Sequence, residues 1–531
     1  MPTVRDATFD LLRALGMTTV FGNPGSTELP FLKDFPGDFS YILGLQESIV
    51  LGMADGYAQA RRRATLVNLH TSAGLGNAMG GIVTAHHNRA PLVITAGQQD
   101  RRHLALEPLL AGRLVELARP YVKWSHEPAR AGDVPAALAR AYYTAMQEPW
   151  GPVFVSIPMD DWEAEAAPYP VAAREVAPRV APDPDALARV AAALRDSRRP
   201  AIVAGAGVDR AGAWDSVVRL AERTRAAVWA DPIGGRAGFP QDHPLFRGHL
   251  APAQALLAHQ FAGHDHVLVL GAPVFLYYPY VPGPVVGEGA RVFQITDNPE
   301  EAAHAATGLS VVGDILLAAR GLLDLLPDEA TGRLAPPPLP TYPPPEATEP
   351  LSVDYTMYTL SQLLPPEAVI VDEAISSGAR LRRYVRVKRP GGYYLGSSGG
   401  LGFGMPAAAG VQLAEPGRPV VCVIGDGSSM YAIQALWSAA RYHAPVTYVV
   451  INNGQYSILK AFGEMMGIGR GVPGLDLPGI DLVGLAHSLG CAAEAVSRPD
   501  ELAAALRRGL DAGQPYLVDI HVDPAVPPLM G

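Results

Sequence analysis

The sequence predicts an α/β protein built from three doubly wound parallel sheets. Three observations lead there. Short apolar, β-branched runs recur along all 531 residues, each suited to a strand buried on both faces. Stretches of helical length lie between them, the alternation that joins parallel strands through crossover helices. Two linker-like segments, 163–185 and 328–350, interrupt this pattern and leave domains at 1–165, 186–325 and 351–531.

In the first segment the strands fall at 18–21, 41–45, 65–69, 91–95 and 153–157, with helices at 3–15, 48–60 and 134–147. Polar, glycine-rich stretches follow the strands, as in Gly22-Asn23-Pro24-Gly25-Ser26 and His70-Thr71-Ser72-Ala73-Gly74. The middle segment repeats the alternation, with strands at 201–204, 227–230, 267–270, 292–295 and 310–312. Gly205-Ala206-Gly207 resembles a dinucleotide loop but lacks the third glycine, so a tight strand-to-helix turn is the simpler reading. Pro336-Pro337-Pro338 and Pro343-Pro344-Pro345 favour extended polyproline in the second linker. The last segment adds strands at 368–372 and 516–522, and its layout is broadly that of the first.

Composition narrows the function. A net charge of −10 argues against nucleic acid as the main partner, because neutralising phosphates needs a basic face. No apolar run is long enough to span a bilayer, so no membrane partner is expected. Cys422 and Cys491 lie in apolar surroundings and read as buried, reduced residues, which suits the cytoplasm, and no charged-then-apolar leader opens the sequence. The 55 glycines and 50 prolines are scattered at strand ends and linkers, so they do not indicate disorder.

The densest chemistry lies in two runs of the last segment. Val420-Val421-Cys422-Val423-Ile424 stops on Gly425-Asp426-Gly427-Ser428, and Val446-Thr447-Tyr448-Val449-Val450-Ile451 stops on Asn452-Asn453-Gly454. Asp426 and Asn453 thus follow the carboxyl ends of two strands, where open α/β sheets place ligands. A carboxylate, an amide and carbonyl oxygens suit a hard cation, and Mg²⁺ commonly shares its coordination with phosphates. Ser428 would open a helix whose N–H groups face an anion. Taken singly, each motif is a turn or a strand exit; together they read as a metal–diphosphate site.

Gly-Asp-Gly followed, after a spacer, by Asn-Asn resembles the signature of thiamine-diphosphate (ThDP) enzymes. The resemblance implies ThDP and Mg²⁺ (or Ca²⁺), with Asp426, Asn453 and the main-chain oxygen of Gln455 as metal ligands. It makes the three domains pyrimidine-binding, central Rossmann-like and diphosphate-binding. Glu47 would open a helix after strand 41–45; on its own it is a favourable first-turn charge, whereas the family places there the acid that activates the aminopyrimidine ring. In Gly399-Gly400-Leu401-Gly402-Phe403-Gly404, Leu401 matches the residue that bends the cofactor. Asn23, Ser376, Gly399, Gly427, Ser428, Tyr431, Tyr456 and Ser457 complete the implied surroundings of the cofactor.

Phe21–Pro36 (21–36), Ala54-Asp55-Gly56-Tyr57-Ala58-Gln59-Ala60, Thr95-Ala96-Gly97-Gln98-Gln99, Gly271-Ala272-Pro273-Val274-Phe275 and Val472-Pro473-Gly474-Leu475-Asp476 resemble the benzoylformate decarboxylase branch of that family. By this likeness Ser26 binds the substrate carboxylate and His70 moves protons. Read without it, Ser26 is a helix N-cap and His70 a hydrogen-bonded strand-end residue. A second family histidine falls on Tyr278, and a phenol is a poorer base than an imidazole at neutral pH. Pro24, Leu109, Leu110, Leu395, Ile458, Leu459 and Phe462 form the implied substrate pocket, with Leu395 in place of phenylalanine, Ile458 of alanine and Ala461 of tryptophan.

The expectation is a ThDP- and Mg²⁺-dependent decarboxylase converting an aromatic 2-oxo acid, benzoylformate first, to CO₂ and an aldehyde. Tyr278 and Ile458 motivate an alternative, a carboligase of the acetohydroxyacid-synthase type. A scaffold that retained only the fold is the third reading. The resemblance further implies a homotetramer, a dimer of dimers in which one subunit's N-terminal domain faces another's C-terminal domain.

Overall fold

The computed structural model describes residues 2–167, 171–328, 332–336, 338–339 and 341–529. Parts of both expected linkers, Pro337 among them, lie outside the described residues. Each of the three chain segments contains one six-stranded sheet, and neighbouring strands are parallel throughout.

The first sheet comprises β1 (Thr19–Gly22), β2 (Ser40–Leu43), β3 (Thr65–Leu69), β4 (Leu92–Gln98), β5 (Ser125–His126) and β6 (Val153–Pro158), ordered β2-β1-β3-β4-β6-β5. The second comprises β7 (Pro200–Ala204), β8 (Ala227–Ala230), β9 (Phe246–His249), β10 (His266–Leu270), β11 (Arg291–Thr296) and β12 (Leu309–Val312), ordered β12-β11-β10-β7-β8-β9. The third comprises β13 (Val369–Glu373), β14 (Tyr393–Leu395), β15 (Val420–Gly425), β16 (Thr447–Asn452), β17 (Ala492–Val496) and β18 (Tyr516–His521), ordered β14-β13-β15-β16-β18-β17.

The predicted α/β class is the observed one. Four strands escape the sequence reading, β5, β9, β14 and β17, and every one is a sheet edge. An edge strand has a neighbour on one side only, so it needs no continuous apolar run. Ser125-His126 and Phe246-Arg247-Gly248-His249 therefore carry no strand signature. The expected helix 3–15 is Val4–Leu15, capped by Thr3, whose hydroxyl accepts from Asp6 N while Asp6 accepts from Thr3 N. The helices expected at 48–60 and 134–147 are Glu47–Arg61 and Val134–Met146. Gly205 and Gly207 do make a strand-to-helix turn. A Cβ at Gly207 would lie 2.6 Å from Gly271 Cα, so the glycine permits close backbone packing of the segments that follow β7 and β10.

The first and third sheets meet through two helices, Glu47–Arg61 and Gly404–Ala414, which cross at backbone contact. A Cβ at Gly410 would fall 2.0 Å from Met53 O, and one at Gly56 would fall 2.3 Å from Ala407 O. A buried polar chain ties all three segments together. Arg236 donates to Asp209 at 2.6 Å and to Gln59 at 3.0 Å, and Gln59 donates to Asp55 at 2.6 Å. Asn88 donates to the other oxygen of Asp55 at 3.0 Å and accepts from Ser397 N at 2.9 Å. Burial pushes the Asp55 carboxyl up to about 7.

Cys422 and Cys491 are both buried and unpaired, and burial pushes their thiols up, that of Cys491 to about 12. Among the described residues no helix is long and apolar enough to cross a membrane.

Candidate active site

Two clusters of polar side chains form at the carboxyl ends of strands, one in the first sheet and one in the third. In the third sheet, β15 and β16 are hydrogen-bonded neighbours, with Gly425 opposite Ile451. Asp426 and Asn453 consequently leave adjacent strands at the same edge. Asp426 Oδ2 accepts from Gly454 N at 2.9 Å, which brings the carboxylate to the residue after Asn453. Asn453 Nδ2 donates to Ser457 Oγ at 2.8 Å, and its Oδ1 accepts from Gln455 N at 3.2 Å.

Asp426 is 5% exposed and pairs with no cationic side chain among the described residues. Burial pushes its carboxyl above the ordinary value, against the pull of the Gly427 and Gly454 N–H groups, and Asp519 adds to the rise. A buried carboxylate served only by N–H donors is suited to a bound cation. Gly427 is required here, since a Cβ would meet the Tyr456 ring at 2.5 Å.

The expected helix beginning at Ser428 is corrected. A single turn spans Asp426–Ser429, opening two residues earlier, and the next helix is Ala435–Arg441. Ser428 is buried within that turn, and Tyr431 lies beyond it, exposed and beside Tyr456. The Gln455 side chain turns away, donating to Pro524 O and accepting from Lys460 Nζ, which leaves its main chain as the part next to Asn453.

The wall of this cluster comes from the helix Ser457–Met465 and the loop after β14. Ser376 Oγ accepts from Ile458 N at 3.1 Å. Phe462 and Tyr278 place their ring centroids 5.1 Å apart, and Tyr278 is 62% exposed. Leu459 is exposed, whereas Leu395 ends β14 and packs partly into the core of the third sheet. Gly399 and Gly402 adopt positive φ, 74° and 97°, on either side of Leu401. Glu373 anchors this loop by accepting from Gly402 N at 2.6 Å and from Gly404 N, and burial pushes its carboxyl up to about 7.

The first-sheet cluster gathers Asn23, Glu47, His70 and Ser26. Glu47 opens its helix, is 8% exposed, and accepts from Asn23 Nδ2 at 3.2 Å and Asn77 Nδ2 at 3.1 Å. His70 follows β3 and precedes the helix Thr71–Asn88; its Nδ1 lies 2.8 Å from Glu28 Oε2 and 3.1 Å from Thr27 Oγ1. The alternative reading of Ser26 as an N-cap does not hold: the short helix Leu29–Leu32 has Glu28 at that position. Ser26 and Pro24 are exposed. Leu109 is 87% exposed, and Leu110 has φ of 70°.

Glu28, Asn77 and Glu373 were not singled out from the sequence. Each acts on a residue 29 to 42 positions away, so no local pattern marks it.

The helix Thr71–Asn88 also spaces His70 from the loop that carries Leu401. His70 stands at its start. Near its end, Thr84 Oγ1 bonds Ser398 Oγ at 2.9 Å and Asn88 holds Ser397 N, gripping the loop that leads to Gly399 and Leu401. From Thr71 to Thr84 the rise is roughly 20 Å. Within one chain His70 and the loop that carries Leu401 therefore lie at opposite ends of one helix.

The chain matches three family descriptions in order: thiamine pyrophosphate enzyme, N-terminal TPP binding domain, over residues 2–115; central domain, over 187–322; and C-terminal TPP binding domain, over 376–520. It is 45% identical over 526 residues to a benzoylformate decarboxylase of Pseudomonas aeruginosa, covering 98% of this chain and 99% of that protein. The acetolactate synthase isozyme 3 large subunit of Escherichia coli is 27% identical over 542 residues, covering 96% and 92%. The crystal structure of benzoylformate decarboxylase from Polynucleobacter necessarius superposes with TM-score 0.95 at 42% identity and full coverage of both chains. A Rhodococcus jostii thiamine diphosphate-dependent 4-hydroxybenzoylformate decarboxylase gives TM-score 0.95 at 42% identity, over 99% of this chain and 100% of that one.

Proposed function

Because this chain belongs to the thiamine pyrophosphate enzyme family, we propose that it decarboxylates aromatic 2-oxo acids, benzoylformate or its 4-hydroxy derivative first, releasing CO₂ and the aldehyde. The observation that carries this reading is the convergence of Asp426 and Asn453 at the carboxyl ends of two adjacent central strands, in a chain alike from end to end to decarboxylases of such acids.

The residues fit the cofactor. Asp426, Asn453 and the main-chain oxygen of Gln455 would hold the divalent ion, an all-oxygen set suited to Mg²⁺. Among the described residues no three His, Cys, Asp or Glu side chains gather as a metal site. When bound, ThDP supplies a carbanion and an electron sink for the departing CO₂. Glu47, buried and held by two asparagine amides, would share a proton with the aminopyrimidine ring. Ser26, exposed on its loop, would bind the substrate carboxylate, and His70 would carry protons. Tyr278 and Phe462 would form an aromatic wall beside Ile458 and Leu459, with Leu401 as the bulky residue projecting from its glycine loop.

We read the working enzyme as at least a dimer, and a tetramer on the family pattern. Support comes from the helix Thr71–Asn88, which holds His70 roughly 20 Å from the grip on the Leu401 loop of the same chain. Pairing the first cluster of one copy with the third-sheet cluster of another gives a site with all the parts. A cytoplasmic location is supported by the two buried free thiols. Tyr278 in the place of a family histidine, together with the acetolactate synthase likeness, favours a carboligase side activity as the second reading.

The test is CO₂ and aldehyde release from benzoylformate and 4-hydroxybenzoylformate, with ThDP and Mg²⁺ present or withheld. Cofactor-loaded protein that binds these acids and releases no CO₂ overturns the assignment; a 2-hydroxy ketone formed only with added acceptor aldehyde measures the side activity.

A further inference from the structure

We propose that Glu28 is the positioning residue for His70, fixing the imidazole with its proton on Nδ1 and leaving Nε2 to face the substrate. This rests on the reading of His70 as the proton-carrying group.

Glu28 is 1% exposed, and both of its oxygens are engaged. Oε1 accepts from Gly97 N at 2.9 Å and from the Thr27 hydroxyl at 2.7 Å. Oε2 accepts from Gly25 N at 2.8 Å and lies 2.8 Å from His70 Nδ1. An ionised carboxylate only accepts, so the short contact with the ring assigns the proton to Nδ1. Thr27 Oγ1, 3.1 Å from Nδ1, already donates to Glu28 and can take a share of the same N–H.

Gly25 sets the ring from below. A Cβ at that position would lie 2.2 Å from Nδ1, 2.3 Å from Cγ and 2.4 Å from Cε1, so the ring rests against bare backbone. With those three atoms covered and the side chain 21% exposed, the open edge of the ring is the Nε2 side. A ring protonated on Nδ1 has its lone pair on Nε2. It can take a proton there, becoming a cation beside the Glu28 carboxylate, and return it later in the cycle. The other ionisable groups at this corner are Glu47, across Gly74, and Tyr41, whose phenol is pushed up by burial and by Glu28.

The test compares full-length, ThDP- and Mg²⁺-loaded wild type, Glu28→Gln, His70→Ala and the double variant. Glu28→Gln is expected to lower kcat at least about tenfold, because the wrong tautomer becomes available, with KM changed less than about twofold. The double variant should be no slower than His70→Ala alone, since the two residues act as one unit. Independently of any Glu28 variant, ¹⁵N–¹H correlation spectra of ¹⁵N-histidine wild type should show His70 as the Nδ1–H tautomer, its signals identified by their loss in His70→Ala. Multiplicative losses in the double variant, or an Nε2–H tautomer in wild type, overturn the proposal. Wild-type turnover in His70→Ala instead overturns the role given to His70, and the tautomer still judges whether Glu28 sets the ring.

Discussion

Asp426→Asn separates ion binding from folding. Asp426 is a buried carboxylate with a Gly454 N–H at 2.9 Å and, among the described residues, no cationic side chain paired with it. The amide keeps an acceptor for Gly454 N and removes a charge that burial disfavours. The lost charge assistance and the relieved desolvation oppose each other, so stability without ligand should change by no more than about 1 kcal/mol. With ligand the two proteins diverge. At ThDP and Mg²⁺ concentrations 100-fold above Kd, wild type gains about 2.7 kcal/mol, a Tm rise of roughly 5–10 °C for a domain of this size. Asp426→Asn, lacking the one charged member of the proposed ligand set, should lose most of that rise.

The pH dependence follows from the raised carboxyl value. A group held above its unfolded pKa contributes stability that is complete below that unfolded value and is lost as pH rises through the folded one. Cofactor-free wild type should therefore weaken with rising pH from the ordinary carboxylate range upward. The ligand-dependent rise should grow over the same interval, because the ion needs the ionised form. Asp426→Asn should show neither slope at this site. Differential scanning fluorimetry with and without ligand reads both effects, and a full ligand-dependent rise in Asp426→Asn refutes the reasoning.

Glu47→Gln should cut turnover by about 10²- to 10⁴-fold with ThDP affinity within a few-fold of wild type; retained turnover would remove Glu47 as the activating acid. Tyr278→His should raise kcat between pH 6 and 8 if product protonation limits the rate, and an unchanged pH–rate profile would show that it does not. Gly410→Ala gains about 1 kcal/mol in helix propensity yet forces a methyl to within 2.0 Å of Met53 O. The expected outcome is net destabilisation of about 1–3 kcal/mol, read as a lower Tm; an unchanged Tm would mean that the two helices can separate there.

The strands buried on both faces were legible because their composition is set by burial. Val420–Gly425 and Thr447–Asn452 are found where their apolar runs place them. Four of the six edge strands, Tyr393–Leu395 among them, were not, because hydrogen bonding to one neighbour leaves little trace in composition. The sequence likewise marked Asp426 and Asn453, which follow their strands directly. It was silent on Glu28, whose significance comes from reaching Gly97 and His70 across the sheet. The start of the turn at Asp426 was misplaced at Ser428 because Gly425, not a side-chain cap, occupies the N-cap position.

The helix Thr71–Asn88 acts as a spacer gauge that comes only in fixed increments. One residue added between Gly74 and Thr84 would push its far end along by about 1.5 Å and swing it by about 100°. The imidazole at one tip and the grip on Ser397 and Ser398 at the other would then fall out of phase together. Insertions that surface loops absorb would be intolerable here, and the helix should keep its length wherever both tips keep their work.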